Sequence, residues 1–385
     1  MGVKFENPII LIGFIVLSEK RALQVAPEAR FSGRQKEGTP MLTARENLLE
    51  TIRGGKPDRF VNQYEAIRLL PHPHFAHRGA PVKGGPEVVN AWGVSMCYPA
   101  HTPGAFPLHT PDRIVIKDIT HWREDVHAPS LEFPQEEWDT FRAMYDAVDR
   151  GKAFAAAMVM PGLFEQVHHL SSITAALEYY ITEAESVHAL IRYLTDWELR
   201  LAEQICDQLH PDAVFHHDDW GSEKNSFLSP AMFEDFFLKP YQEIYGYYHS
   251  HGVQLIIHHS DCFAANLVPD MIAMGIDIWQ GAMEANRVPE LVKQYGGRIS
   301  FMGDIDNKTV DFPGWTKEKC RAAIESRLDG REPQYYIPCI AQGLPGSVFP
   351  GVYGSLAEEI DRYNSSRFGW SGKALEDARL PLQVF

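Results

Sequence analysis

The sequence predicts an α/β protein folded as one (β/α)8 barrel, and three observations carry that prediction. First, short apolar runs stop abruptly in imidazoles, carboxylates or thiols. Leu255-Ile256-Ile257 runs into His258-His259-Ser260-Asp261-Cys262, Ala213-Val214-Phe215 into His216-His217-Asp218-Asp219, and Ile299 to Met302 into Gly303-Asp304-Ile305-Asp306. Weaker copies are Ile276-Asp277-Ile278-Trp279-Gln280 and Tyr335 to Cys339. Second, strand and helix patterns alternate through the second half of the chain, which specifies a parallel sheet with crossover helices. Third, counting strands from Phe60 gives about eight, the number that closes a barrel. At any one strand end, Asp or Ser could merely cap the next helix. Five strands ending alike imply one shared pocket at their C-terminal ends.

Taken in order, Thr43-Ala44-Arg45-Glu46 reads as a capping box opening a helix to Arg53, which stops at Gly54-Gly55. Phe60 to Glu65 reads as the first strand. Pro71 to Pro111 is rich in Pro, Gly and His with little periodicity, and a loop that long is expected to act as a lid. It carries His72, His74, His77 and Trp92. Gln135 to Arg150 is helical by pattern, and Ala153 to Met160 is an apolar strand ending in Pro161-Gly162-Leu163-Phe164-Glu165-Gln166. Ile173 to Leu209 reads as two helices broken near Thr182-Glu183. Ser229-Pro230 starts a helix that continues past Pro240 to about Tyr248. The remaining strand and helix pairs follow at short intervals as far as Ser355 to Tyr363. The expected organisation is an irregular extension over residues 1–40, a barrel domain over 41–366 and a tail over 367–385.

Composition excludes some classes. A net charge of -15 argues against nucleic acid or an anionic membrane surface as the main partner. Five cysteines, an odd number without a disulfide-like framework, suit a reducing cytoplasm. The apolar stretch Pro8 to Leu17 is too short to span a bilayer and lacks a signal-peptide leader or cleavage site. It reads as lying upstream of an alternative start at Met41.

Several motifs together resemble one family. Lys56-Pro57-Asp58-Arg59, Phe227-Leu228-Ser229-Pro230-x-x-Phe233 with Lys239-Pro240-Tyr241, His259-Ser260-Asp261 followed by Leu267-x-x-Asp270 and Gly275-Ile276-Asp277, and Phe301-Met302-Gly303-Asp304-Ile305-Asp306 resemble the uroporphyrinogen decarboxylase superfamily. The resemblance covers roughly Leu42 to Asn364 and implies a barrel with its pocket at the strand C-termini. It also implies one of two chemistries: porphyrinogen decarboxylation, or methyl transfer to a corrinoid. In true decarboxylases an Arg-Gln-Ala-Gly-Arg run grips the substrate carboxylates, bidentate arginine pairing being the physical way to hold them. The matching region here reads Val61-Asn62-Gln63-Tyr64-Glu65-Ala66-Ile67-Arg68, with one arginine and an added acid. The ending Ile337-Pro338-Cys339-Ile340-x-Gln342-Gly343-x-Pro345-Gly346 looks most similar to the cobalamin-dependent methyltransferase and O-demethylase branch.

That resemblance implies a zinc site of His259, Cys262 and Cys339. The spacing His259-x-x-Cys262 is one residue longer than the branch pattern, and Asp261 stands where the thiolate would be, so either Asp261 or Cys262 could join His259. Adjacent strand residues point oppositely, so only one of His258 and His259 faces the pocket, and His259 is the expected one. The methyl acceptor would be a corrinoid held by a separate protein, and the donor a small methylated compound such as an O-methyl aromatic. Asp218, Asp219, Glu165 or His217 could protonate the leaving oxygen. Tyr64, Glu65, Trp220, Trp279, Gln280 and Asp304 are the expected substrate-binding residues, although barrel packing would also account for the aromatic ones. Two other classes stand beside this reading: a decarboxylase working through Asp218 or Asp219 without zinc, and a non-catalytic binding protein.

Overall fold

The structure, a computed structural model, describes residues 40–102 and 104–379. Apart from Pro40, the expected extension over residues 1–40 lies outside the described residues. Seven parallel strands form the central sheet in chain order: β1 (Ile67–Leu70), β2 (Phe154–Val159), β3 (Ala213–His217), β4 (Leu255–His259), β5 (Ile278–Ala282), β6 (Ser300–Ile305) and β7 (Tyr336–Ile340). Every residue in them is buried except His217. Burial on both faces explains why these strands read as continuous apolar runs rather than as alternating ones.

The sheet curls into a half-barrel, so closure by eight strands is corrected here. Among the described residues its end strands β1 and β7 pair only with β2 and β6. Phe60 to Glu65, expected as a strand, leads into a turn in which Glu65 N–H donates to Asn62 O and Ile67 N–H to Tyr64 O. Gln63 takes a left-handed conformation there (φ 51°), which an extended strand does not allow. Across the gap, Gln63 N–H donates to the Pro338 carbonyl at 3.2 Å.

The early helix Ala44–Arg53 carries the capping box, and Gly54 ends it at φ 66°. Helices Ile173–Thr182 and Ala184–Leu209 break at Glu183. Ser229 caps Pro230–Phe233, and the chain then widens into a π turn over Glu234–Leu238 before the helix Lys239–Ser250. Pro240 has no N–H to give to the preceding turn, which accounts for the widening. Past Phe368 the chain forms one more helix, Gly372–Ala378, with Leu375 buried and Trp370 Nε1 donating to Asp58 O. No helix among the described residues is long and apolar enough to cross a membrane, and all five cysteines are free.

Residues 71–111 hold more structure than their sequence suggests. Pro73–His77 is a short helix, and Val88–Val89, Ser95–Cys97 and Phe106–Pro107 form a small antiparallel sheet. His72 and His74 are buried, the His74 ring lying 4.7 Å from Trp197. His72 Nε2 donates to Met158 O at 2.9 Å while its Nδ1 accepts from Phe75 N–H, an arrangement that needs a neutral ring. Burial, aided by His74, holds the His72 pKa down to about 3. The unfolded chain protonates this ring below about pH 6.5 and the folded chain does not, so its contribution is lost as pH falls from there towards 3. Between pH 7 and 5 the wild type should lose about 2 kcal/mol more stability than His72→Gln. Urea unfolding at the two pH values checks this, and parallel pH dependences would contradict it.

Candidate active site and metal centre

β3 and β4 pair with His216 opposite His258 and His217 opposite His259. Side chains alternate across a strand, so each histidine doublet sends one ring to each face of the sheet. His216 and His258 stack against the helix layer, their centroids 5.7 Å apart. There His216 meets Glu198 of helix Ala184–Leu209 at 2.6 Å, and His258 meets the Tyr245 hydroxyl of helix Lys239–Ser250 at 2.8 Å. On the other face His217 and His259 stack at 4.3 Å. Register and alternation thus bring two imidazoles together from strands whose sequences lie 42 residues apart at this point, the separation of His217 and His259.

Asp218 comes next and points away from that face into buried surroundings. Its carboxylate accepts Phe164 N–H at 3.0 Å, Glu165 N–H at 2.7 Å, Trp220 Nε1–H at 2.8 Å and the Tyr241 hydroxyl. It therefore caps the helix Leu163–Leu170 from a neighbouring strand, satisfying amides that no local side chain caps. The approach leaves no room at Gly162, where a Cβ would lie 2.4 Å from Asp218 Cβ. Burial pushes the Asp218 carboxyl up against the pull of these donors. Four donors surround the Asp218 carboxylate, which holds the start of the helix carrying Glu165.

The capped helix presents Glu165, whose Oε2 lies 2.9 Å from His217 Nδ1. Burial pushes Glu165 up to about 7, the His217 charge opposing it. For His217 burial acts downward, but Glu165 and Asp219, then Asp261, outweigh it and carry the ring up to about 10. His259 is pushed down to about 4 by burial and by the charge of His217. Its Nδ1 faces Gln280 Oε1 in a short hydrogen bond, and its Nε2 lies 3.7 Å from Asp261 Oδ2. Asp219 Oδ1 accepts Asp261 N–H at 2.8 Å. Burial and the Asp219 charge hold the Asp261 carboxyl well above the usual range. The cluster is reachable from outside, since the side chains of His217 and Asp261 are 23% and 26% exposed.

Among the described residues two groups could hold a metal ion: His217, Asp219 and His259, and Glu165, His168 and His169. In each the ligand atoms lie within 4.8 Å of one another. The first fits a divalent transition metal. Each imidazole has its Nδ1 engaged by an outer acceptor, Glu165 or Gln280, which leaves Nε2 for an ion and fixes the ring as metal-binding histidines usually are. Two nitrogens and one carboxylate oxygen suit zinc with open positions, and ferrous iron equally.

The structure gathers a different set around His259 from the expected thiol ligands. Cys262 turns into the loop after β4, its Sγ 3.2 Å from Ser260 Oγ and its carbonyl held by Asn286. Cys339 is buried in β7, and burial raises both thiols. Other expected residues also lie away from the cluster. Trp220 packs on His258 and Phe233, and Trp279 donates to Ser260 O against Phe301. Asp304 is buried with Arg331 at 2.6 Å, and Glu65 lies 3.7 Å from Arg59. Tyr64 lies nearer, 6.2 Å from the Phe215 ring, which in turn neighbours His259. Gln280 orients His259 directly.

With this geometry established, comparison with known proteins adds the lineage. The family model described as uroporphyrinogen decarboxylase matches residues 157–363, more than half of the 385. The chain belongs to the uroporphyrinogen decarboxylase family. The matched span holds both metal-competent groups. A solved structure of a methyltransferase from Methanosarcina mazei is similar in fold, with a TM-score of 0.57 at 14% identity over 84% of this chain and 99% of that chain. No curated protein matches the sequence.

Proposed function

We propose that this member of the uroporphyrinogen decarboxylase family is a methyltransferase. It would move a methyl group from a small methylated donor to the cobalt of a corrinoid carried by a separate protein, with zinc held by His217, Asp219 and His259. The observation that carries this reading is the pair of stacked imidazoles, each hydrogen-bonded through Nδ1 with its Nε2 making no hydrogen bond, beside a carboxylate. Bound there, zinc would supply Lewis acidity towards the donor's leaving atom. The fold likeness to a methanogen methyltransferase supports the reading.

The chain's own residues divide the remaining work. Glu165 and Gln280 fix the orientation of the two imidazoles. Burial and the neighbouring Asp219 charge hold the Asp261 carboxyl well above the usual range, and it reaches solvent, which suits it to protonate the leaving group as the methyl carbon bonds to cobalt. The donor's bond to its methyl group breaks with the electron pair staying on the leaving atom, and Asp261 neutralises that charge. A cleft of about 280 Å³ lined by Met283, Asp306, Lys308 and Gln342 offers room for a small polar donor. With Trp220 and Trp279 in the packing layers, an O-methyl aromatic is one donor to test among others.

A decarboxylase reading draws on one observation: Arg68 is buried, its guanidinium donates to the Ile67 carbonyl, and among the described residues it has no carboxylate partner. Against a polycarboxylate stand Glu165 and Asp219, which add further acidic groups around the site. The test is anaerobic incubation with cob(I)alamin and a panel of methyl ethers, methylamines and methyl thioethers. Methylcobalamin is the expected product. Release of carbon dioxide from uroporphyrinogen or a small acid, with cobalt left unmethylated by every donor, would overturn the proposal.

A further inference from the structure

The helix Leu163–Leu170 carries two histidines that the proposed reaction does not use. Glu165, His168 and His169 stand at i, i+3 and i+4, the spacing that puts three side chains on one helical face. Their ligand atoms lie within 4.8 Å of one another. The His168 and His169 rings meet at 4.8 Å, nearly perpendicular. His168 Nδ1 is buried and has no hydrogen-bond partner, a state that buried polar atoms rarely keep without a ligand. Glu165 gives Oε2 to His217, and Oε1 is left for another partner. A Glu-x-x-His pair on a helix is also the unit from which carboxylate-bridged two-metal sites are built.

From this geometry we infer a second site for a divalent transition-metal ion at Glu165, His168 and His169, linked through the Glu165–His217 hydrogen bond to the one proposed at His217, Asp219 and His259. The loaded protein then carries two ions per chain. The two donor sets match, each with two imidazoles and one carboxylate, so one metal class serves both. Asp218 holds the helix in register by accepting Phe164 and Glu165 N–H, so the second site is positioned from the same strand that supplies the first. The inference rests on the first site only for the pairing. Its test reads metal content and does not depend on methyl transfer.

The experiment equilibrates the full-length protein with zinc, removes free ion and measures zinc per chain for wild type, His168→Gln, His169→Gln and His259→Ala. Two zinc ions are expected in wild type and one in each single variant. His168→Gln combined with His259→Ala should retain none. Cobalt(II) substitution gives a second readout, since the visible absorption bands should fall by about half in His168→Gln if that variant stays folded by circular dichroism. One zinc in wild type, lost in His259→Ala and kept in His168→Gln and His169→Gln, overturns the second site and leaves the first standing. No zinc in any protein overturns both sites. Two zinc ions retained in both His168→Gln and His169→Gln also overturn the assignment.

Discussion

Replacing His259 with alanine is expected to lower kcat/KM for methyl transfer by about 10³-fold, the equivalent of about 4 kcal/mol of transition-state stabilisation. The ring is held by Gln280 on one side and stacked on His217 on the other. Burial pushes its pKa to about 4, so it is neutral at pH 7 and ready to ligate. Alanine removes one nitrogen donor from a set of three and strands Gln280 Oε1, while the capped helix and the helix-layer histidines stay as they are. The loss should therefore fall on kcat more than on stability. Steady-state kinetics with thermal melting of the same preparation checks both. Activity within tenfold of wild type would show that the reaction does not run through this centre.

Asp218→Ala is expected to act the other way, with the largest stability loss of any single change in the site. Four buried donors lose their acceptor at once: Phe164 N–H, Glu165 N–H, Trp220 Nε1–H and the Tyr241 hydroxyl. Breaking a buried charged network by removing one member costs about 3–5 kcal/mol. In a domain of this size that corresponds to a fall in Tm of about 4–7 °C. Asp218→Asn keeps one acceptor oxygen and the shape, and should lose less than half as much. Because the helix carrying Glu165 starts at this cap, the alanine variant should also lose activity even where it is fully folded. A Tm within about 1 °C of wild type would contradict the role assigned to Asp218.

Much of this site was legible in the strand ends, where apolar runs stop in His216-His217-Asp218-Asp219 and His258-His259. Alternation alone separates the two rings of each doublet. What sequence could not show is the register that sets His217 opposite His259, because strand pairing is non-local. Asp218 and Asp219 are chemically identical in the chain, and only the fold makes one a buried cap and sets the other beside His217 and His259. The helix Leu163–Leu170 escaped notice for a related reason: Gly162 offers no side-chain cap, and the cap comes from a residue more than fifty positions downstream. The spacing Glu165-x-x-His168-His169 was the signal that could have revealed it. The pattern His217-x-Asp219 with a distant His259 was a second metal signature beside the expected His259, Cys262 and Cys339. The eighth strand failed at Gln63, where a left-handed residue and a tight turn replace extended backbone.

The most direct test of the central claim is the conversion of cob(I)alamin to methylcobalamin, followed by absorbance under anaerobic conditions with zinc-loaded wild type, metal-stripped wild type and His259→Ala side by side. The account predicts methylation with at least one donor of the panel, loss of the signal on stripping, its return on adding zinc, and no recovery in His259→Ala. Methylation that proceeds equally in all three proteins, or in none while a carboxylic acid substrate loses carbon dioxide, would contradict it.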